Sequence, residues 1–145
     1  MGWLPDYPSI QDYMPQKDTV STKLKALDQK PIKAMLTEAK AATPTVDLRA
    51  TGDLRAWCSP IENQGSIGSC TAHAGVGLVE YSERRASGRR LDALRLFLYK
   101  VTRDLLHWTG DTGAFLRSAM EALALFGTPP EEYWPYVVAD YDKEP

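Results

Sequence analysis

The sequence predicts one mainly helical folded domain preceded by an extended arm, and three observations carry that expectation. The chain has 145 residues, enough for a single core of ordinary size. It is 43% hydrophobic and 25% charged with ten Gly and ten Pro, which places it among globular proteins rather than disordered or fibrous ones. Beyond residue 70, three stretches repeat apolar residues at helical spacing, whereas the first 45 residues gather six of the eight lysines and five of the ten prolines. All nine arginines come later. The net charge of −2 is too balanced for recognition of nucleic acid or a membrane surface by bulk electrostatics, so neither partner is expected. No stretch approaches the roughly 18 consecutive apolar residues of a membrane span, and the start lacks the basic and apolar regions of an export signal. The expected location is therefore cytoplasmic.

Trp3 to Tyr7 and Met14-Pro15 read as extended chain, because proline disfavours helix in the residue before it. Pro31 suits a first helical position, with Ile32, Met35, Leu36 and Ala39 following at helical spacing. Ala41 to Pro44 resembles a linker, so the division expected is 1–45 as a leader-like extension and 46–145 as the folded unit. Val46 to Pro60 reads as extended or looped, and Asn63 to Ser69 as a turn with two glycines. A helix is predicted from Cys70 to a cap at Gly88, its small residues implying close packing. A second runs from an Asp92 cap through Leu94, Phe97, Leu98, Val101 and Leu105. A third starts at Asp111 or Thr112 and ends at Gly127, burying Leu116, Met120 and Leu123. No metal or cofactor is expected.

The chemistry concentrates between Gln64 and Cys70. A cysteine where a glycine-bearing loop becomes a helix meets the unpaired N–H groups of the first turn and the helix dipole, which favour its thiolate, the nucleophilic form. Gly65 and Gly68 let the backbone turn sharply and let a substrate carbonyl approach. The Cys70 N–H can donate to an oxyanion, and the Gln64 side-chain amide can supply a second donor. A buried, inert thiol is the competing interpretation of Cys70. Cys58, in a looped stretch, reads as a free or packed thiol. The Arg84-Arg85 and Arg89-Arg90 pairs read as a solvated helix end, where cations suit the dipole.

At these residues the sequence resembles the papain-like cysteine peptidases. The family signature, Cys-Gly-Ser/Ala-Cys-aromatic, corresponds to Ile67-Gly68-Ser69-Cys70-Thr71, preceded by Asn63-Gln64-Gly65-Ser66. The resemblance runs from Val46-Asp-Leu-Arg49 to Trp134-Pro-Tyr136, about ninety residues, and the wording CSPIENQG and GSCTA is closest to the bacterial branch. It implies an α+β papain-like fold of which this chain holds mainly the helical left half. It also implies Cys70 as nucleophile, Gln64 as oxyanion donor, and Gly68, Ser69 and Gly113 as substrate-binding positions. Gly113 would be the second glycine of the family's pair. Three departures stand out. Ile67 replaces a half-cystine, so the family's first disulfide cannot form; Thr71 replaces the aromatic after the nucleophile; Asp111-Thr112 interrupts the glycine pair.

The family places its His and Asn about 130–150 residues beyond the nucleophile, past Pro145. His73 lies one helical turn beyond Cys70, where packing is the better expectation, and His107 suits a helix end. The resemblance thus implies a cysteine endopeptidase acting on peptide or protein substrates, almost inactive by itself and completed by a second chain or further residues carrying the base. By analogy with the family's leaders, residues 1–45 are expected to run along the cleft and restrain a zymogen, the alternative being that they only cover core. The alternatives are a non-catalytic peptide-binding or inhibitory half-domain and a papain-fold acyltransferase.

Overall fold

The structure, a computed structural model, describes residues 2–7, 30, 34, 37–38 and 52–144. It divides into two compact units, one made of Met1–Asp6 with Asp53–Pro145 and the other of Tyr7–Gly52. In the second unit Ala34, Thr37 and Glu38 are helical and Lys30 Nζ pairs with Glu38 Oε1 at 2.6 Å. The rest of the helix expected from Pro31 to Ala39, the linker to Pro44, the boundary near residue 45 and the Val46–Arg49 start lie outside the described residues.

The described residues of the first unit form three α-helices, α1 (Cys70–Ser87), α2 (Arg95–Leu105) and α3 (Leu116–Phe126). Two short strands, β1 (Trp3–Leu4) and β2 (Ala114–Phe115), pair in parallel with Trp3 opposite Ala114 and Leu4 opposite Phe115. No described helix is long and apolar enough to cross a membrane.

Helix α1 begins at the cysteine and ends as its sequence predicts, with Gly88 in the left-handed region (φ 71°) returning its N–H to the Arg84 carbonyl. Its small-residue face is real. A side chain at Gly75 would meet Met120 Cε at 3.1 Å and Leu98 Cδ2 at 3.2 Å, so the glycine is what lets the three helices close on one another. Helix α2 is the centre of the unit. Leu96, Leu98 and Tyr99 are fully buried there, and the core continues through Ile67, Ala72, Val76, Ala93, Leu94 and Ala122. Burial of each large apolar side chain contributes about 1.5–3 kcal/mol.

Two helix starts differ from the sequence expectation, for one reason. Helix α2 begins at Arg95, not at an Asp92 cap. The backbone from Asp92 to Leu94 is held extended instead, by Leu94 N–H to Pro129 O (2.8 Å) and Glu131 N–H to Asp92 O (2.8 Å). Helix α3 begins at Leu116 because Ala114 and Phe115 are committed to the ladder with β1. A further correction concerns the third helix's core. Leu116 and Met120 are 41% and 36% exposed, and the fully buried positions are Ala119 and Ala122, since close approach to the other helices admits only small side chains there.

Buried charges tie the unit's loops together. Arg95, 5% exposed, lies 3.3–3.4 Å from Glu62, Asp92 and Glu131, joining the segment before α1 to the turn after α3. Glu80 accepts the Ala93 N–H at 2.9 Å. Each buried ion has its counter-ion or donor, which is the condition for burying it at all.

Candidate active site

Cys70 is the first residue of α1, half-buried, and its thiol is free. The first-turn N–H groups of an 18-residue helix therefore converge on the end where the sulfur sits. The loop leading to it is internally braced. Asn63 Oδ1 accepts the Gly65 N–H (2.9 Å), and Gln64 Nε2 donates to Ile67 O (2.8 Å). The Gln64 amide has two N–H bonds, and this contact uses one, orienting the group while its second donor stays available.

Ser69, fully buried, does not cap α1 with its side chain. The Tyr136 hydroxyl donates to Gln64 O (2.9 Å), so at 2.7 Å it accepts from Ser69 Oγ. His73 Nδ1 lies 3.0 Å from the Ser69 carbonyl, which can only accept, so the proton resides on Nδ1. Its ring meets that of Tyr136 edge-on at 5.1 Å. Ser69 thus anchors the loop from behind.

His73 is built as a packing residue. Its Nε2 is buried without a partner, and burial pushes its pKa below the ordinary histidine range, only partly offset by the bond to Ser69. Its bonds run to Ser69 and not to the Cys70 sulfur. It lines a cavity of about 260 Å³ shared with Cys58, Glu62, Glu80 and Arg95. His107 follows the end of α2, exposed, in the left-handed region (φ 56°), its N–H returned to Asp104 O. Cys58 is exposed, its thiol 3.6 Å from Leu54 O.

Gly68 and Gly113 stand side by side: a side chain at Gly68 would reach Gly113 Cα at 3.2 Å and Gly2 Cα at 3.0 Å. The chain's own N-terminal strand lies against this pair. A side chain at Gly2 would fall 1.7 Å from Gly68 O, and one at Gly113, whose φ is 74°, would fall 2.2 Å from Gly2 O. Only backbone fits between backbone here. The amide that pairs with the strand is Ala114's, donating to Gly2 O at 2.8 Å, while the Gly113 N–H is donated to Tyr99 Oη at 3.1 Å.

Two further groups at this wall escape sequence reasoning. Asp111 Oδ1 accepts from Gly68 N–H (2.7 Å) and from the Tyr99 hydroxyl (2.5 Å). Burial and the adjacent Asp111 raise the Tyr99 hydroxyl pKa well above the usual phenol range. In the sequence, Tyr99 carries only the signature of a core aromatic and Asp111 that of a helix cap. Asp6 Oδ2 lies 3.3 Å from the Arg117 N–H, and Asp6 Oδ1 3.4 Å from its guanidinium, so β1 continues into a carboxylate seated at the start of α3.

The described residues thus bring Gln64, Gly68, Ser69 and Cys70 onto one braced turn, with Gly113 across from Gly68. No protein-family model matches the chain, and no curated protein matches it. Among solved structures it is similar to xylellain, a cysteine protease from Xylella fastidiosa, with a TM-score of 0.58 and 27% sequence identity. The match covers 94% of this chain and 43% of that protein, so the chain spans less than half the length of its structural neighbour. Its fold is similar to part of that cysteine protease.

Proposed function

We propose that this chain is the nucleophile-bearing, helical half of a papain-like cysteine endopeptidase, with residues 46–145 forming the half-domain and residues 1–45 a leader. The observation that carries the reading is Cys70 at the first position of α1, two residues past Gly68 in a glycine wall that already holds an extended backbone. The likeness to a cysteine protease supports it independently.

In this reading a substrate peptide lies along Gly68, Gly113 and Ala114, and the Cys70 thiolate attacks its carbonyl carbon. The developing oxyanion takes donors from the Cys70 N–H and the Gln64 Nε2. Collapse breaks the C–N bond, the leaving amine takes a proton from an imidazolium, and a thioester to Cys70 remains. Water then cleaves the thioester, releasing the acid and restoring the thiol. Neither histidine of this chain is assigned that role, because His73 is committed to Ser69 and His107 stands exposed on the turn after α2. The base and its orienting Asn come from a complementary chain or from residues beyond this sequence. The β1 segment occupies the wall a substrate would use, which supports a leader that restrains the enzyme.

Intact-mass analysis of the native protein tests the reading, together with peptide hydrolysis before and after alkylation of Cys70. A His- and Asn-bearing complement and hydrolysis that stops on alkylation are expected. A complement-free protein that binds peptides without cleaving them would replace it with a non-catalytic peptide-binding half-domain. Acyl transfer to an amine in preference to water would replace it with an acyltransferase of the same nucleophile.

A further inference from the structure

We propose that Asp111 is a positioning residue of the candidate site, locking the nucleophile's loop to the opposite wall through a single carboxylate oxygen. Its functional meaning rests on the peptidase reading above, but the lock itself is a matter of geometry. Gly68 is two residues before Cys70, and its N–H reaches Asp111 across 43 residues of sequence. The Tyr99 hydroxyl donates to the same oxygen and accepts the Gly113 N–H. One relay, Gly68 to Asp111 to Tyr99 to Gly113, therefore fixes both sides of the wall where backbone packs against backbone.

The relay is anchored from behind. Tyr99 and Arg103 are both fully buried in α2, and the Arg103 guanidinium lies 4.3 Å from the Tyr99 ring centroid. Arg103 also donates to Gly110 O, the residue before Asp111. The Asp111 carboxylate, on the turn after α2, is thus held by Tyr99 of a core helix while the same oxygen addresses the loop before Cys70.

A covalent tie is unavailable at this point. Ile67 stands where a half-cystine would be, and both cysteines are free thiols. A charge-assisted hydrogen bond is the strongest tie these side chains offer, since an ionised acceptor roughly doubles the strength of a neutral bond. Such a lock is indifferent to reductant.

The test uses the full chain in four forms: wild type, Asp111→Ala, Asp111→Asn and Tyr99→Phe. Amide hydrogen exchange is followed by NMR at Gly68, Gly113 and α2. The alkylation rate of Cys70 is measured with iodoacetamide and with a peptidyl chloromethyl ketone, each form carrying Gly2→Val for this arm so that β1 leaves the wall free. In Asp111→Ala the Gly68 amide is expected to exchange about tenfold faster with α2 unchanged, and the rate ratio of peptidyl to simple reagent to fall about tenfold. Asp111→Asn keeps the acceptor oxygen and should restore both to within about threefold. Tyr99→Phe should release the Gly113 amide more than that of Gly68.

Unchanged Gly68 exchange in Asp111→Ala would overturn the lock, and so would an Asn variant no better than Ala. An unchanged reagent ratio despite faster exchange would reduce Asp111 to a structural tie and overturn its positioning role. A Gly2→Val chain, its wall freed of β1, with no preference for the peptidyl reagent would defeat the peptidase reading, and the exchange arm would still decide the lock.

Discussion

Two polar turns flank the glycine wall, residues 63–69 before α1 and residues 106–113 after α2, and they are put together in opposite ways. The second is satisfied from the core. Arg103, fully buried, donates to Gly110 O, to Tyr141 O (2.6 Å) and to Asp142 (3.0 Å), and its carbonyl accepts the Trp108 N–H (2.9 Å). The first is braced at its backbone by Asn63, by one of the two Gln64 N–H bonds, by Tyr136 and, at Gly68, by Asp111. Its remaining donors, at Gln64 and the first turn of α1, stay available. The difference teaches a division of labour: one turn holds the fold, and the other is left with hydrogen-bonding capacity for a ligand.

If that division is right, changes in the first turn should cost activity with little stability, and changes behind the second should do the reverse. The largest effect belongs to the nucleophile. Cys70→Ala should remove peptide hydrolysis by the complete enzyme, by more than about 10³-fold, without lowering the melting temperature. Cys58→Ala, on an exposed turn, should keep most of it; an inactive Cys58 variant would end the assignment.

Arg103→Met should cost about 3–5 kcal/mol in urea denaturation, because it strands Asp142 and the Gly110 and Tyr141 carbonyls that the guanidinium satisfies. A smaller loss than that of Gln64→Ala would break the comparison. Gln64→Ala should lower kcat about 10²-fold with KM unchanged, the scale of one lost oxyanion donor, and a pure KM effect would make Gln64 a ground-state binder. Gly2→Val cannot keep β1 docked, since its first carbon would overlap Gly68 O. If the strand restrains the site, a peptidyl reagent should reach Cys70 about fivefold faster, the worth of one hydrogen bond. An unchanged rate would make β1 a structural strand alone.

The smallest effect is a pH dependence. Burial holds the folded-state pKa of His73 below its unfolded value of 6.5. On acidification the unfolded chain takes up this proton first. The contribution of neutral His73 is complete above the unfolded value and declines as pH falls through that value toward the folded one. His73→Gln should flatten urea midpoints measured across this window, and an unaltered slope would show that the imidazole is not the sensor.

Much of the arrangement is legible in the residues themselves. The span of α1 from Cys70 to the Gly88 cap, its glycine-lined packing face, the apolar stripe of α2 and the turn at Gly65 all follow from local spacing and backbone freedom. So does the placement of the thiol at a helix start. The substrate-binding roles expected of Gly68 and Gly113 rest on the resemblance. The structure adds Ala114 as the residue whose amide pairs with the strand.

What the sequence by itself determined, then, is which segments become helices and which residue leads the first of them, because those preferences are settled within a few residues of chain. The helix starts were decided elsewhere. None of the three helices has a side-chain cap from its own N-cap residue. The α2 start is served by Glu131, whose carboxylate lies 3.3 Å from the Arg95 N–H, and the α3 start by Asp6, 111 residues away. Asp92 and Asp111, which read locally as caps, pair instead with Arg95 and Gly68. A carboxylate carries no mark of which unpaired N–H group it will meet, and only packing the helices around Leu98 and Gly75 brings the donors within its reach.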